Sequence, residues 1–203
     1  MRHLAHHVFI ALILALPLLL LGWNAEHINP LLEYQRAAVD EHQPWRLLTA
    51  HIVHLNFIHA VMNAAALLLI LFWTGAERQP LSIGIAALGC GLVISTCLYI
   101  WQPQVTYYVG LSGVLHGLLV FLLAPVCTRN DPVGWAVIFA LGVKLCYERI
   151  IPGGHSATEV LIAGPVLSVA HLYGALAGVG LSFIWILSEK LAGLLKPNAQ
   201  RSN

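Results

Sequence analysis

Charge is scarce in this chain. Only 9% of its 203 residues are Asp, Glu, Lys or Arg, against roughly 25% in soluble domains. With a formal net charge of +1 there is no electrostatic footprint for nucleic acid or for an acidic substrate. The four cysteines, Cys90, Cys97, Cys127 and Cys146, form no CxxC and no Cys/His metal spacing, and all fall in or at the ends of apolar runs. They read as small buried hydrophobes. The zinc-protease signature HExxH is missing, and no acidic residue lies between Glu41 and Glu77 to act as its base. No internal repeat or low-complexity segment is present. No small-x-small cleavage site follows the first apolar stretch before the polar loop, so that stretch reads as an uncleaved span.

Apolar residues are abundant instead: 59% of the chain is hydrophobic and the mean hydropathy is +0.79. A water-soluble fold has no place for that much apolar surface, so the chain belongs to the membrane class. Apolar runs lie at about 8–23, 52–73, 81–101, 111–127, 133–151 and 161–188. Each is long enough, or nearly so, to cross a hydrocarbon core of roughly 30 Å as a helix. The expectation is a single all-α membrane domain over residues 1–203, a bundle of six transmembrane helices, with a short polar tail at 189–203 that frays from Pro197 onward. Six spans put both termini on one side. That side collects Arg2, Arg78, Arg129, Lys190, Lys196 and Arg201, against Arg36, Arg46 and Arg149 on the other. The excess of basic residues makes the first side cytoplasmic. Trp23, Trp45 and Trp101 stand near span ends, as interfacial aromatics do.

Strongly polar groups in lipid are costly and gather where they pair or work. Three clusters do so here. In Gly110-Leu111-Ser112-Gly113-Val114-Leu115-His116-Gly117 a serine stands between glycines at a helix start. Its hydroxyl is unobstructed and its backbone N–H is one of the orphan donors of a helix N-terminus. A glycine-rich packing seam with an incidental serine is the other reading of that segment. In the last run, His171, Gly174 and Gly178 share a helical face that can press on the glycine side of the Ser112 helix. A lone membrane histidine is more often a helix-to-helix hydrogen-bond donor than a catalyst. A serine on a similarly lined helix makes it a candidate base. In the third cluster His59 and Asn63 are four apart and stack on one face, two neutral donors able to aim at one oxygen. His51, His54 and His59, three histidines within nine residues, also resemble a metal-ligand set.

Together, GxSG with a following glycine, HxxxN in the second run and AHxxGxxxG in the sixth resemble the pattern of the rhomboid proteases, in the family's order. Trp45-Arg46 and Gly75-Ala76-Glu77 match further family features; the resemblance covers about residues 44–185, within a domain core of about 44–188. It implies a serine–histidine dyad without an aspartate, in a water-filled cavity open to the extracytoplasmic side. Ser112 would be the nucleophile and His171 the base. His59, Asn63 and the Ser112 N–H would hold the oxyanion, with Gly110 and Gly113 shaping the site. Neither cofactor nor metal is implied.

The chain departs from the common rhomboid pattern at His116, where most members place Phe or Tyr against the catalytic histidine. Its imidazole lies four residues beyond Ser112 and competes with His171 as a base. His116, the compact body and the i, i+4 pair Lys144 and Glu148 resemble one subgroup, the rhombosortases. Its members are bacterial inner-membrane enzymes thought to cut proteins that bear a C-terminal Gly-Gly motif, an apolar helix and a basic tail. The expected partners are therefore the lipid bilayer and membrane-anchored proteins with a C-terminal transmembrane segment. Pairing makes two charges tolerable at depth, so Lys144 and Glu148 read first as a structural ion pair. A client-binding relative that does not cut, and a histidine-lined transporter, are the competing functions. The first needs a broken dyad. The second typically shows broken half-helices and repeat symmetry.

Overall fold

The computed structural model describes residues 2–74, 78–129, 131–151 and 157–195. The Gly75-Ala76-Glu77 motif and the polar tail from Pro197 fall outside the described residues. Among the described residues ten helices and one two-stranded ribbon follow in order: α1 (Arg2–Trp23), α2 (Ala25–Leu32), β1 (Tyr34–Gln35), α3 (Arg36–Asp40), α4 (Arg46–Thr49), α5 (Phe57–Thr74), α6 (Pro80–Trp101), β2 (Tyr107–Tyr108), α7 (Ser112–Thr128), α8 (Pro132–Ile150), α9 (Ala157–Ile162) and α10 (Ser168–Leu195).

Local chemistry sets the helix starts. Proline opens α6 and α8 at a position where its missing N–H is not needed, and the Asp131 carboxylate accepts from the Val133 N–H at 2.9 Å to cap α8. The run expected from residue 52 becomes helical only at Phe57, because the Asn56 side chain accepts from the His59 N–H at 2.9 Å and caps the first turn there. The run expected at 161–188 is broken. After α9, Ala163 takes a positive φ of 49° and Gly164-Pro165 interrupts the helix before α10 begins. The last helix then runs to Leu195, into the segment expected as a tail.

α5, α6 and α10 are long and apolar enough to cross a membrane, and α1 with α2 makes a fourth if that pair, bent by 103°, is one span. α7 is apolar but shorter, and α8 carries Lys144, Glu148 and Arg149 near its end. By length and composition this is a multi-pass helical membrane protein, with three to four candidate spans among the described residues. α7 stands at the centre, with Val114, Leu118, Phe121, Leu122 and Leu123 buried. It packs against α10, α6, α5 and α8, while α1 lies along α5. The outer surface is apolar, with Leu69, Leu81, Phe139 and Phe183 all exposed, as suits helices facing lipid rather than water. Cys90 and Cys127 are buried as expected, but Cys97 is half-buried and Cys146 is exposed. Cys146 departs from the expectation because α8 turns most of its surface outward.

The segment between the first two apolar runs, 24–51, is a folded cap. Buried Arg46 donates to the carbonyls of Glu33 at 2.9 Å and Pro30 at 2.8 Å and to the Gln43 side chain at 2.7 Å. The Trp45 indole N–H donates to Leu31 at 3.3 Å. Arg36 donates to the carbonyls of Leu98 and Gln102 at 3.0 Å, which ties this segment to the end of α6. The antiparallel ribbon pairs Tyr34 with Tyr108 and Gln35 with Tyr107, which fastens this cap to the strand that leads into α7.

Candidate active site

The site rests on a seam of glycines. A Cβ added at Gly174 would lie 1.9 Å from the Gly113 carbonyl oxygen, and one at Gly178 would lie 2.3 Å from that of Gly117. From the other helix, a Cβ at Gly113 would meet the Ala170 carbonyl at 2.8 Å and one at Gly117 that of Gly174 at 2.5 Å. The backbones of α7 and α10 therefore touch, as small-residue seams in membranes allow. That approach sets the side chains one residue before Gly113 and three before Gly174 within reach of each other. The His171 Nε2 lies 2.9 Å from the Ser112 Oγ.

The chain enters α7 through Gly110, whose φ of +121° belongs to the left-handed region. Its N–H donates to the Ala50 carbonyl at 2.9 Å and its carbonyl accepts from the Tyr108 hydroxyl at 2.8 Å. A side chain here would strike the His59 ring, with Cε1 2.9 Å from an added Cβ. Glycine at 110 thus lets His59 of α5 close on the entrance to the Ser112 helix. The His59 Nδ1 accepts from the Leu55 N–H at 3.3 Å, which leaves the hydrogen on Nε2 as a donor. Asn63, one turn on, gives one amide N–H to the His59 carbonyl at 3.0 Å. No side chain caps the start of α7, so its first N–H groups keep their character as anion donors.

His51 and His54 do not share His59's place. The His51 Nε2 sits 2.9 Å from both the Gly91 carbonyl and the Ser95 hydroxyl on α6, while His54 is fully buried with its ring edge-on to His59 at 5.0 Å. Among the described residues no three His, Cys, Asp or Glu side chains converge as a metal-ligand group.

His116 lies over His171, with ring centroids 4.3 Å apart and planes 12° from parallel, so it takes the stacking place that Phe or Tyr would fill. Its nitrogens are engaged elsewhere: Nδ1 is 2.7 Å from the Ser112 carbonyl oxygen and Nε2 is 3.0 Å from the Lys144 Nζ. Neither faces the Ser112 hydroxyl, which disfavours it as the base.

A carboxylate that sequence reasoning left outside the site is part of it. The Glu148 Oε2 lies 3.0 Å from the His171 Nδ1, and its Oε1 accepts from the Lys144 Nζ at 2.6 Å. The i, i+4 spacing of Lys144 and Glu148 marks one face of α8, and the aversion of charge to lipid turns that face inward. Spacing does not say which inner group that face meets.

The Rhomboid domain model matches residues 41–188. The candidate rhomboid protease YdcA of Bacillus subtilis is 26% identical over 148 residues, covering 72% of this chain and 69% of that protein. An uncharacterized protein of Mycobacterium tuberculosis is 31% identical over 171 residues, covering 78% of this chain and 66% of its own length. RHOMBOID-like protein 5 of Arabidopsis thaliana is 30% identical over 182 residues, covering 83% of this chain but 53% of that protein. The chain thus spans about two thirds of the bacterial relatives and about half of the plant one.

Proposed function

The chain belongs to the rhomboid family, and from that premise we propose that it is an intramembrane serine endopeptidase working through Ser112 and His171. The observation that carries this reading is the 2.9 Å contact between the Ser112 Oγ and the His171 Nε2, held by a seam in which two backbones touch. The imidazole Nε2 accepts the hydroxyl proton as Oγ attacks the scissile carbonyl, and later delivers it to the leaving amine. Negative charge on the former carbonyl oxygen is met by the Ser112 N–H at the helix start, the His59 Nε2–H and the Asn63 amide. Buried donors of this kind are worth about 2.7–4 kcal/mol each in acyl transfer.

In the membrane the body makes six crossings with both termini cytoplasmic, so the site opens to the periplasmic side of a bacterial inner membrane. His116 stacked on His171 and the Lys144/Glu148 pair support the rhombosortase reading within the family. Its substrates are exported proteins ending in Gly-Gly, an apolar helix and a basic tail. A helix must unwind before its carbonyl can reach Ser112, and each glycine in a helix costs about 1 kcal/mol relative to Ala. Adjacent glycines at the membrane edge are therefore a natural breaking point, with no side chain to strike the glycine-lined site.

The test is a reporter ending in Gly-Gly, apolar helix and basic tail, presented in liposomes with the wild type and with Ser112→Ala and His171→Ala. Wild type should cut near the glycines, both variants should insert and fold but not cut, and a Leu-Leu reporter should be cut far more slowly. Near-normal turnover by either variant defeats the dyad. Equal cutting of the Leu-Leu reporter removes the subgroup and leaves the protease.

A further inference from the structure

Five residues close a ring of hydrogen bonds at this site, and the ring fixes the direction of every bond in it. A lysine ammonium only donates and a carboxylate only accepts. Lys144 therefore donates to the Glu148 Oε1 at 2.6 Å and to the His116 Nε2 at 3.0 Å. An accepting Nε2 puts the His116 hydrogen on Nδ1, which donates to the Ser112 carbonyl at 2.7 Å. The Glu148 Oε2 accepts from the His171 Nδ1 at 3.0 Å, so the hydrogen of neutral His171 is on Nδ1. Nε2 is then left bare to accept from the Ser112 hydroxyl at 2.9 Å. No member has two donors or two acceptors facing each other.

We propose that Glu148, held by Lys144, is the positioning residue that fixes His171 in the tautomer and orientation able to accept the Ser112 proton, so that this chain works through a Ser112–His171–Glu148 triad. This deepens the serine-protease reading and rests on it. When the proton moves from Oγ to Nε2, His171 becomes a cation whose Nδ1–H still points at the carboxylate. Glu148 stabilises that cation without taking its proton, and no other bond changes. Lys144 neutralises Glu148 in the resting site and holds it through the oxygen not used by His171. Its side chain is 46% exposed whereas that of Glu148 is 20% and that of His171 7% exposed, so the lysine forms the outer edge of the ring.

A purely structural ion pair and a positioning carboxylate predict opposite orders for two variants. Glu148→Gln keeps the shape. With Lys144 present, the amide oxygen turns to the ammonium and the NH2 group to the His171 Nδ1. That NH2 can only donate, so it drives the His171 hydrogen to Nε2 and blocks acceptance from Ser112. Glu148→Ala removes the carboxylate but imposes no wrong tautomer. The expected order of activity is wild type, Glu148→Asp, Glu148→Ala, then Glu148→Gln, the last slowed by about 10³–10⁴, the scale of a wrong tautomer in a serine protease. Adding Lys144→Met to Glu148→Gln frees the amide to flip and should restore at least ten-fold of the lost rate. A structural pair predicts the reverse, with the isosteric Gln the milder change and the second substitution adding damage.

The experiment follows, for the full chain in detergent micelles, the rate at which a fluorophosphonate labels Ser112, and in liposomes the kcat and KM for the reporter. Folded protein is matched by size-exclusion chromatography. The loss should fall on kcat with KM little changed. Gln equal to or faster than Ala, or no recovery in the Lys144→Met/Glu148→Gln double variant, overturns the positioning role while wild-type labelling still supports the protease. Wild type that labels no faster than Ser112→Ala overturns the protease reading and the triad with it.

Discussion

Replacing Gly174 by alanine tests whether the α7–α10 seam sets the reaction geometry. The added Cβ would sit 1.9 Å from the Gly113 carbonyl oxygen, where ordinary contact begins at 3.4 Å, so the two backbones must part by about 1.5 Å. That strain falls beside the site, since Gly113 follows Ser112 and Gly174 lies one turn beyond His171. Passed on even by half, it stretches the 2.9 Å Oγ···Nε2 contact beyond the 3.5 Å limit of a hydrogen bond. Misplacement of about 1 Å can reduce turnover about 10²-fold, and the loss should appear in kcat rather than KM because substrate is met elsewhere. Gly178→Ala, with a 2.3 Å clash two turns from His171, should lose less. Gly180→Ala, on the same helix but with nothing within 4 Å, should keep full activity and gain up to about 1 kcal/mol of helix propensity. Cleavage of the reporter in liposomes, with thermal melts to check folding, gives the comparison. Activity of Gly174→Ala within three-fold of wild type would refute the claim that backbone contact holds the dyad.

On the proposed mechanism, His59→Ala and Asn63→Ala should each lower kcat by about 10²–10³ with KM little changed, because an oxyanion forms only along the reaction path. EDTA should leave the wild type unaffected, and activity lost to chelator and restored by zinc would move the His51/His54/His59 cluster to the metal reading. Acid should weaken the cap. Burial pushes His51 from 6.5 down to about 4 in the folded protein, so the folded state resists a proton that the unfolded chain accepts. Stability present above pH 6.5 is then progressively lost as pH falls from 6.5 towards 4. Melting midpoints in detergent should drop across that window, and His51→Gln should flatten the drop.

The apolar runs made the long helices legible, because a membrane span is written as composition. Asn56 and the Gly164-Pro165 break moved two helix starts, since capping and chain reversal depend on single residues inside runs that hydropathy averages over. The cap at 24–51 was unreadable for a related reason: α2, α3 and α4 are too short for periodicity to speak, and Arg46 ties α4 to the end of α2 through backbone carbonyls that leave no trace in sequence. At the site, the glycine spacing foretold the meeting of the Ser112 and His171 helices. Glu148 was harder. Its pairing with Lys144 follows from i, i+4 spacing alone, but its contact with His171 depends on how α8 is rotated against α7 and α10, and that rotation is set by tertiary packing.

The seam between α7 and α10 also orders events during biosynthesis. Ser112 and His171 are 59 residues apart, and His171 lies on the last of the described helices. At about 5–20 residues per second, the ribosome delivers the nucleophile about 3–12 s before its partner. Until α10 docks, Ser112 lacks the His171 acceptor and the carbonyl-lined seam stays open. On the proposed mechanism a nascent chain is thus chemically silent beside the other chains leaving the same insertion machinery, and competence arrives in one step when α10 docks.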